Sequence, residues 1–326
     1  MVSVVIPNHN GGPTIGKCLE AAFSSAYENF EVVVVDDCST DNSAEIIKKF
    51  PCRFIRLDKH SGASSARNAG ARNSIGRILF FIDADCILQK ETIGLAVNAA
   101  SMHENTVIGG TYTKIPYDDK FFSAFQSIFI NYSESKKPEP DYIASHAMII
   151  EKKLFEKSGG FPESFLPIIE DVEFSHRLRG SGCKLVMHPE ILVRHIFNYT
   201  LRKSLRNAFR KSLYWTIYSL KNRDLFKDSG TASSELKINV ASYFLSIFFI
   251  MLFMVFRYET FLTAIPFITV FNLYINRRFL NSILVAKGGF FTVLSALYYI
   301  LIYPFPVGFG SFTGMIKYFI LRKGDS

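Results

Sequence analysis

The stretch Gly62–Cys86, GASSARNAGARNSIGRILFFIDADC, decides the fold. Its first half, Ala63 to Ser74, has the length and composition of a helix. Its second half holds Ile78 to Ile82, a wholly apolar run that ends at Asp83-Ala84-Asp85. A short apolar run bounded by polar residues reads as a strand buried on both faces, as parallel strands are. Carboxylates two residues apart past its end point to the same side. A hard divalent cation such as Mg2+ or Mn2+ takes few carboxylates and keeps positions for phosphate oxygens. A DxD pair alone is common in surface loops, and its place beyond a buried strand is what singles this one out.

Working outward, further strand-like runs appear at Val2 to Ile6, Glu31 to Val35 and Arg53 to Leu57. Helix-length segments lie between the strands at Thr14 to Ala26, Asn42 to Phe50 and Ala63 to Ser74. This alternation predicts an α/β domain built on a mainly parallel sheet. Ligands bind such sheets beyond the carboxyl ends of the strands. Asn8 and His9, Asp36 and Asp37, and Asp83 and Asp85 occupy three of those ends, so they are expected to share one crevice.

Past about Asn198 the composition changes. Leu201, Leu205, Phe209, Leu213 and Ile217 recur every four residues with Lys203, Arg206 and Arg210 on another face, which predicts an amphipathic helix over Leu201–Leu220. It reads either as a helix in a membrane interface, the reading preferred here, or as one packed on the preceding domain. Lys221 to Ser234 reads as a polar linker. Ile238 to Phe256 is then nineteen residues without a charge, about 28 Å of helix at about 1.5 Å per residue, which suits a bilayer core of about 30 Å. Thr260 to Ile275 reads as a second span. The apolar run Gly288 to Ile316 is broken by Pro304 and Pro306, where a hairpin or re-entrant turn is expected to return Ser326 to the cytoplasm.

The net charge of +8 is concentrated from Arg194 to Lys227, just before the first apolar segment. Basic residues there follow the positive-inside rule and attract anionic headgroups, so nucleic acid is not the expected partner. Five scattered cysteines without a CxxC pair argue against a disulfide framework or zinc site and fit a reducing compartment. Met1 leads straight into a strand, with no signal peptide, so the N-terminal domain is expected in the cytoplasm. None of His9, His60, His103, His146, His176 and His188 shows metal-ligand spacing.

The runs VVIPNHN, VVVVDDCSTDNS, GASSARNAGARNSIGRILFFIDADC, and GGF followed by EDVEFSHRLRGSG occur in this order and together resemble glycosyltransferase family 2. The resemblance spans Val2 to about His195. It implies a GT-A fold, a nucleoside-diphosphate sugar donor (UDP- or GDP-linked), a divalent cation, and transfer with inversion at the anomeric centre. By the same resemblance Pro7, Asn8 and Asn10 border the nucleotide and Asp37 hydrogen-bonds its base. Gly62, Arg67 and Asn68 close over nucleotide and phosphates, Asp83 lies near the ribose, and Asp85 ligates the metal. Asp171 matches the catalytic base. His195 matches a histidine that in some members reaches the metal or diphosphate, although a lone histidine after a strand also reads as structural. Asp36 reads equally as a cap for the next helix. Glu170 reads as an acceptor-positioning residue or as part of a charged helix N-terminus.

One departure bears on the reaction. Processive synthases resembling this family carry QxxRW on an interfacial helix, and here the region reads LRNAFRKSLYW. A single transfer to a lipid-borne acceptor, such as a polyprenyl or dolichyl phosphate or a glycan on one, is therefore expected over polysaccharide extension. The expected organisation is a GT-A domain over residues 1–198, a basic interfacial helix and linker over 199–235, and transmembrane helices over 236–326.

Overall fold

A computed structural model of the chain describes residues 1–164 and 166–324. It divides into two compact units, Met1–Asn198 and Tyr199–Ser326, the last two residues of which, including Ser326, lie outside the described residues.

The first unit is built on one eight-stranded sheet. Strands β1 (Val2–Asn8), β2 (Phe30–Asp36), β3 (Arg53–Arg56) and β4 (Ile78–Phe81) alternate with helices α1 (Gly12–Phe23), α2 (Ser43–Ile47) and α3 (Ala63–Arg72). These strands pair in parallel in the order β3-β2-β1-β4. The apolar side chains of β1 and β4 are almost wholly excluded from solvent, as burial on both faces requires.

Beyond β4 the sheet departs from the parallel expectation. Strand β5 (Cys86–Leu88) is followed by α4 (Thr92–Met102), β6 (Thr106–Tyr112), α5 (Phe121–Glu134), a 3₁₀ turn at Ser145–Ala147, and β7 (Met148–Glu151). Helices α6 (Lys152–Lys157) and α7 (Glu170–Gly180) precede β8 (Lys184–His195). The sheet continues β4-β7-β6-β8-β5, with β7 antiparallel to both neighbours, β6 parallel to β8, and β5 antiparallel to β8. Because β7 is antiparallel to β4, it starts with Met148 beside Phe81 at the carboxyl end of β4 and finishes with Glu151 beside Ile78. After it, α6 and the Gly159-Gly160 turn lead the chain to α7.

Phe81, Phe155, Phe161 and Phe174 form an aromatic cluster with ring centroids 4.7 to 5.6 Å apart. Edge-on and tilted packing of this kind adds to simple burial. The cluster joins β4, α6, the Gly-Gly-Phe turn and α7, and so fixes where α7 begins relative to Asp83.

The second unit is helical. Its first helix, α8 (Leu201–Asn222), is capped by Thr200, whose hydroxyl accepts from the Lys203 amide. It packs along α12 (Pro304–Gly324). A Cβ on Gly310 would overlap Ser212 Oγ and the Phe209 carbonyl, and one on Gly314 would overlap the Leu213 carbonyl. Those small residues are what allow the two backbones to meet. The buried face of the amphipathic α8 thus lies against a helix of its own unit.

Helix α9 (Ser234–Phe256) and the shorter α10 (Thr260–Ile275) follow the expected apolar segments. Their contact includes a buried chain of amides: Asn276 Nδ2 donates to Asn272 Oδ1 (2.8 Å), Asn272 Nδ2 to Asn239 Oδ1 (2.7 Å), and Asn239 Nδ2 to the Tyr299 carbonyl (2.8 Å). Helix α11 (Arg277–Leu297) breaks once at Gly288 and runs through a π-helical turn, Tyr298–Ile302, into α12.

The expected hairpin at Pro304 and Pro306 is not formed. Tyr303 has right-handed helical angles, and its amide bonds the Tyr298 carbonyl at 2.9 Å. Both prolines stand in the first turn of α12, directly after the π-helical turn, and the helical path continues through them. Among the described residues α9 and the α11–α12 run are long and apolar enough to cross a bilayer.

Candidate active site

The carboxyl ends of β1, β2 and β4 open onto a cleft of about 450 Å³ lined by Pro7, Asn8, Asn10, Asp37, Arg67, Asp83 and Asp85 among others. Gly62, Asn68, Asp171 and His195 are not in its lining.

At one end stands Asp37. Its carboxylate accepts from the Ser61 amide (2.7 Å) and the Gly62 amide (2.8 Å), and His60 Nδ1 lies 2.8 Å from it. Gly62, at φ +89°, supplies the left-handed turn that aims two successive N–H groups at one carboxylate before α3 begins. The His9 ring stacks on His60 with centroids 4.2 Å apart, and donor atoms of His9, Asp37 and His60 lie within 4.8 Å of one another. The sequence placed His9 and Asp37 at neighbouring strand ends, but His60, far from both in the chain, carries no local spacing signal that would join it to them.

The neighbouring loop is braced from within. Asn8 Nδ2 donates to Asp36 Oδ1 (2.9 Å), while Asp36 also accepts from the Ser39 amide (3.2 Å) and faces Arg56 at 3.5 Å. Asp36 is therefore not a cap for α2: it belongs to β2, and the N-cap position is taken by Asn42. Asn10 Oδ1 accepts from the Thr40 amide at 2.8 Å. Asn68 is turned to another task, since it exchanges hydrogen bonds with the Phe161 backbone (2.8 and 2.9 Å) and pins the Gly-Gly-Phe turn.

The other end is a charge network. Arg67, buried, donates to Asp83 Oδ1 (2.7 Å) and to Glu170 Oε1 (2.8 Å). Glu170 thus serves as an anchor for α3 at the start of α7. Burial pushes the Asp83 carboxyl up, yet Arg67, aided by His146, holds it below the usual carboxylate range. Asp85 goes the other way: burial first, and the Asp83 charge second, push it up to about 7.

Register in β5–β8 pairs Cys86 with His195, bringing His195 Nε2 to 3.3 Å from Asp85 Oδ1. That oxygen is buried and makes no proper hydrogen bond among the described residues, a cost that a bound cation would remove. The donor set thus fits a divalent metal.

Asp171 lies in the first turn of α7, beside Glu170. Its Oδ2 accepts from the Ser145 amide at 3.2 Å. Burial, then the Glu170 charge, raise its carboxyl to about 6.

A family model described as glycosyl transferase family 2 matches residues 3–159. The N-terminal unit carries a family 2 glycosyltransferase domain. Glycosyltransferase AglE of Haloferax volcanii is 27% identical to this glycosyltransferase over 239 residues, 69% of this chain and 77% of that protein. Glycosyltransferase GlyG of Streptococcus pneumoniae is 31% identical over 128 residues, 37% of this chain and 42% of that protein. Among solved structures, the mannosyltransferase of Pyrobaculum calidifontis in complex with GDP-Man and Mn2+ superposes with a TM-score of 0.59 at 17% identity, over 98% of this chain and 86% of that one. GalNAc-T7 with UDP, GalNAc and Mn2+ reaches 0.50 at 20% identity, over 67% and 50% of the two chains. These likenesses establish the GT-A fold.

Proposed function

We propose that this glycosyltransferase moves one sugar from a nucleoside-diphosphate sugar to a lipid-borne acceptor at a membrane, with inversion and with a divalent cation. The observation that carries the chemistry is one buried Asp85 oxygen that makes no hydrogen bond among the described residues and lies 3.3 Å from His195, together with a raised carboxylate, Asp171, next to Glu170 of the Arg67 bridge.

The nucleoside lies toward Asp37, bordered by Pro7, Asn8 and Asn10, with Gly62 and Arg67 closing the cleft and Asn68 holding the Gly-Gly-Phe turn in place. Asp83, kept ionised by Arg67, faces the ribose. Asp85 and His195 would hold Mg2+ or Mn2+, which would supply positive charge against the departing diphosphate. Asp171 accepts the proton of the acceptor hydroxyl as that oxygen attacks the anomeric carbon, a task suited to a carboxylate whose pKa stands near the operating pH. A single displacement leaves the product inverted and requires no covalent enzyme intermediate. UDP- and GDP-linked donors both remain in view, because the GT-A neighbours are complexes with UDP in one case and GDP-Man in the other.

Support for the membrane comes from α9. Phe244, Leu245, Phe248, Met251, Met254 and Phe256 along it are exposed, which an ordinary core helix would not tolerate. An apolar helix bare to its surroundings is suited to lipid. Basic side chains on α8, with five residues separating it from β8, suit an interface rich in anionic headgroups on the cytoplasmic side. We accordingly assign residues 1–198 to catalysis, 199–235 to the interface and 236–326 to the bilayer.

The test is transfer itself. Membranes containing the enzyme are incubated with radiolabelled UDP- and GDP-sugars and a lipid extract, and the anomeric configuration of the organic-soluble product is read by NMR. Label in the lipid fraction with inverted configuration is expected. Transfer only to water-soluble acceptors, or retention of configuration, contradicts the reading.

A further inference from the structure

A second charged cluster lies behind the carboxylates, and nothing in the proposed mechanism uses it. Glu134 closes α5 and His146 sits in the 3₁₀ turn before β7; both are buried. Glu134 Oε2 stands 3.3 Å from His146 Nε2 and accepts from Thr111 Oγ1 at 2.7 Å. The His146 ring stacks on Tyr112 at 3.9 Å, and Tyr112 meets the His195 ring edge-on at 4.8 Å. Its chain neighbour Ser145 gives the amide that holds Asp171. One short turn thus connects a buried acid–imidazole pair to Asp171 directly and, through Tyr112, to His195.

We propose that Glu134 and His146 form a positioning pair that keeps an imidazolium behind Asp83 and Asp171 and so sets the charge and the orientation of Asp171. The inference rests on Asp171 being the base. A buried carboxylate is costly unless it is paired and hydrogen-bonded, and Glu134 has only the His146 ring and the Thr111 hydroxyl to meet that need among the partners described. The pairing therefore favours a charged ring.

The other charges facing His146 act in the same sense. Asp83 at the end of β4 and Asp171 on α7 are both anionic neighbours, and Tyr112 of β6 offers only a π face. On the far side of Asp83 and Glu170, Arg67 of α3 is tied up by those two carboxylates. Burial pulls the His146 pKa down, but Glu134 first, then Asp83 and Asp171, lift it above the ordinary histidine value. In return the imidazolium lowers the pKa of Asp171. His146 touches no reacting atom in this scheme. It acts through Asp171.

A pH profile distinguishes this role from simple packing. For the full chain in detergent, kcat is measured from pH 5 to 9 at saturating donor and Mn2+, for wild type, His146→Gln, Glu134→Gln and the double variant. Removing the cation raises the Asp171 pKa, so the acidic limb should move up by about one pH unit, in line with the loss of one nearby charge. Near pH 6 the rate should fall several-fold, while above pH 8 the variants should approach wild type.

Glu134→Gln strips His146 of its counter-charge, leaves the ring neutral and should shift the limb equally; the double variant should add nothing. Binding of UDP and of GDP, each with Mn2+, should stay within about threefold of wild type, which shows that the cleft is intact. If His146→Gln does not fold, the near-isosteric Glu134→Gln carries the same test. A limb that stays in place while kcat drops uniformly overturns the proposal and leaves a packing role. Asp171→Asn run alongside separates the two readings: if that variant still transfers sugar, the assignment of the base has failed, and not merely that of its supporting pair.

Discussion

Replacing Arg67 by Met should destabilise the N-terminal unit heavily, and the size of the effect follows from its two ion pairs. Arg67 is the shared counter-ion of Asp83 and Glu170, at 2.7 and 2.8 Å, with its own side chain 4% exposed. Removing one partner from a buried pair costs about 3–5 kcal/mol because the remaining charge is left without compensation. The side chains of Asp83 and Glu170 are 31% and 17% exposed, so water recovers part of that, and about 3 kcal/mol is the reasonable figure. For a unit of this size each kcal/mol moves Tm by about 2–4 °C, which predicts a fall of roughly 6–12 °C. Calorimetry of the detergent-solubilised chain measures it, the relevant transition being the one raised by UDP or GDP with Mn2+. The triple variant Arg67→Met, Asp83→Asn, Glu170→Gln should regain most of the loss, since an uncharged trio leaves no stranded carboxylate. A single variant melting within about 2 °C of wild type, or a triple variant no better than the single one, would refute the reasoning.

Three shorter predictions accompany it. Asp85→Ala and EDTA should each abolish transfer, with Mg2+ or Mn2+ restoring only the EDTA-treated wild type; robust turnover in metal-free buffer would rule out the DxD site. Because the base must be ionised and its pKa is raised to about 6, kcat should rise with pH through about 6 and be lost below it; a profile flat down to pH 4.5 would exclude Asp171. Gly314→Val should separate α8 from α12, where the added side chain has no room, and lower the thermal stability of the helical unit by the 1–3 kcal/mol typical of overpacking; unchanged melting would show that the close approach does not matter.

What was legible in the sequence was what depends on short-range pattern. β1 to β4 could be read because buried parallel strands are runs of apolar residues with punctuation between them. Asp83 and Asp85 stood out because such a run ends on them. The bounds of the apolar segment Thr260–Ile275 were readable residue for residue as a helix, since charged and turn-forming neighbours flank it. At 16 residues, however, that helix is shorter than α9 and the α11–α12 run, the two long enough to cross a bilayer among the described residues.

The remainder depends on contacts that leave no local trace. Met148–Glu151 is a strand because it inserts antiparallel between β4 and β6, and Thr106–Tyr112 is one because it pairs with that strand and, over more of its length, with β8. Glu134 and His146 meet across α5 and the 3₁₀ turn, with no periodic spacing to announce them. Pro304 and Pro306 suggested a reversal, but the π-helical turn before them lets the chain stay helical. The partner of the amphipathic α8 was hidden too, because Gly310 and Gly314 look like ordinary members of an apolar run.

Asp171→Asn provides the most direct measurement. The substitution preserves shape but removes an anionic acceptor for the hydroxyl proton at neutral pH. Calorimetry should find UDP or GDP binding with Mn2+ within a few-fold of wild type, because Asp171 is not in the lining of the nucleotide cleft. Sugar transfer in the same preparation should fall by at least about 10²-fold, the low end of what general-base catalysis contributes. Near-wild-type transfer by Asp171→Asn would contradict the assignment of the base and turn attention to its neighbour, Glu170.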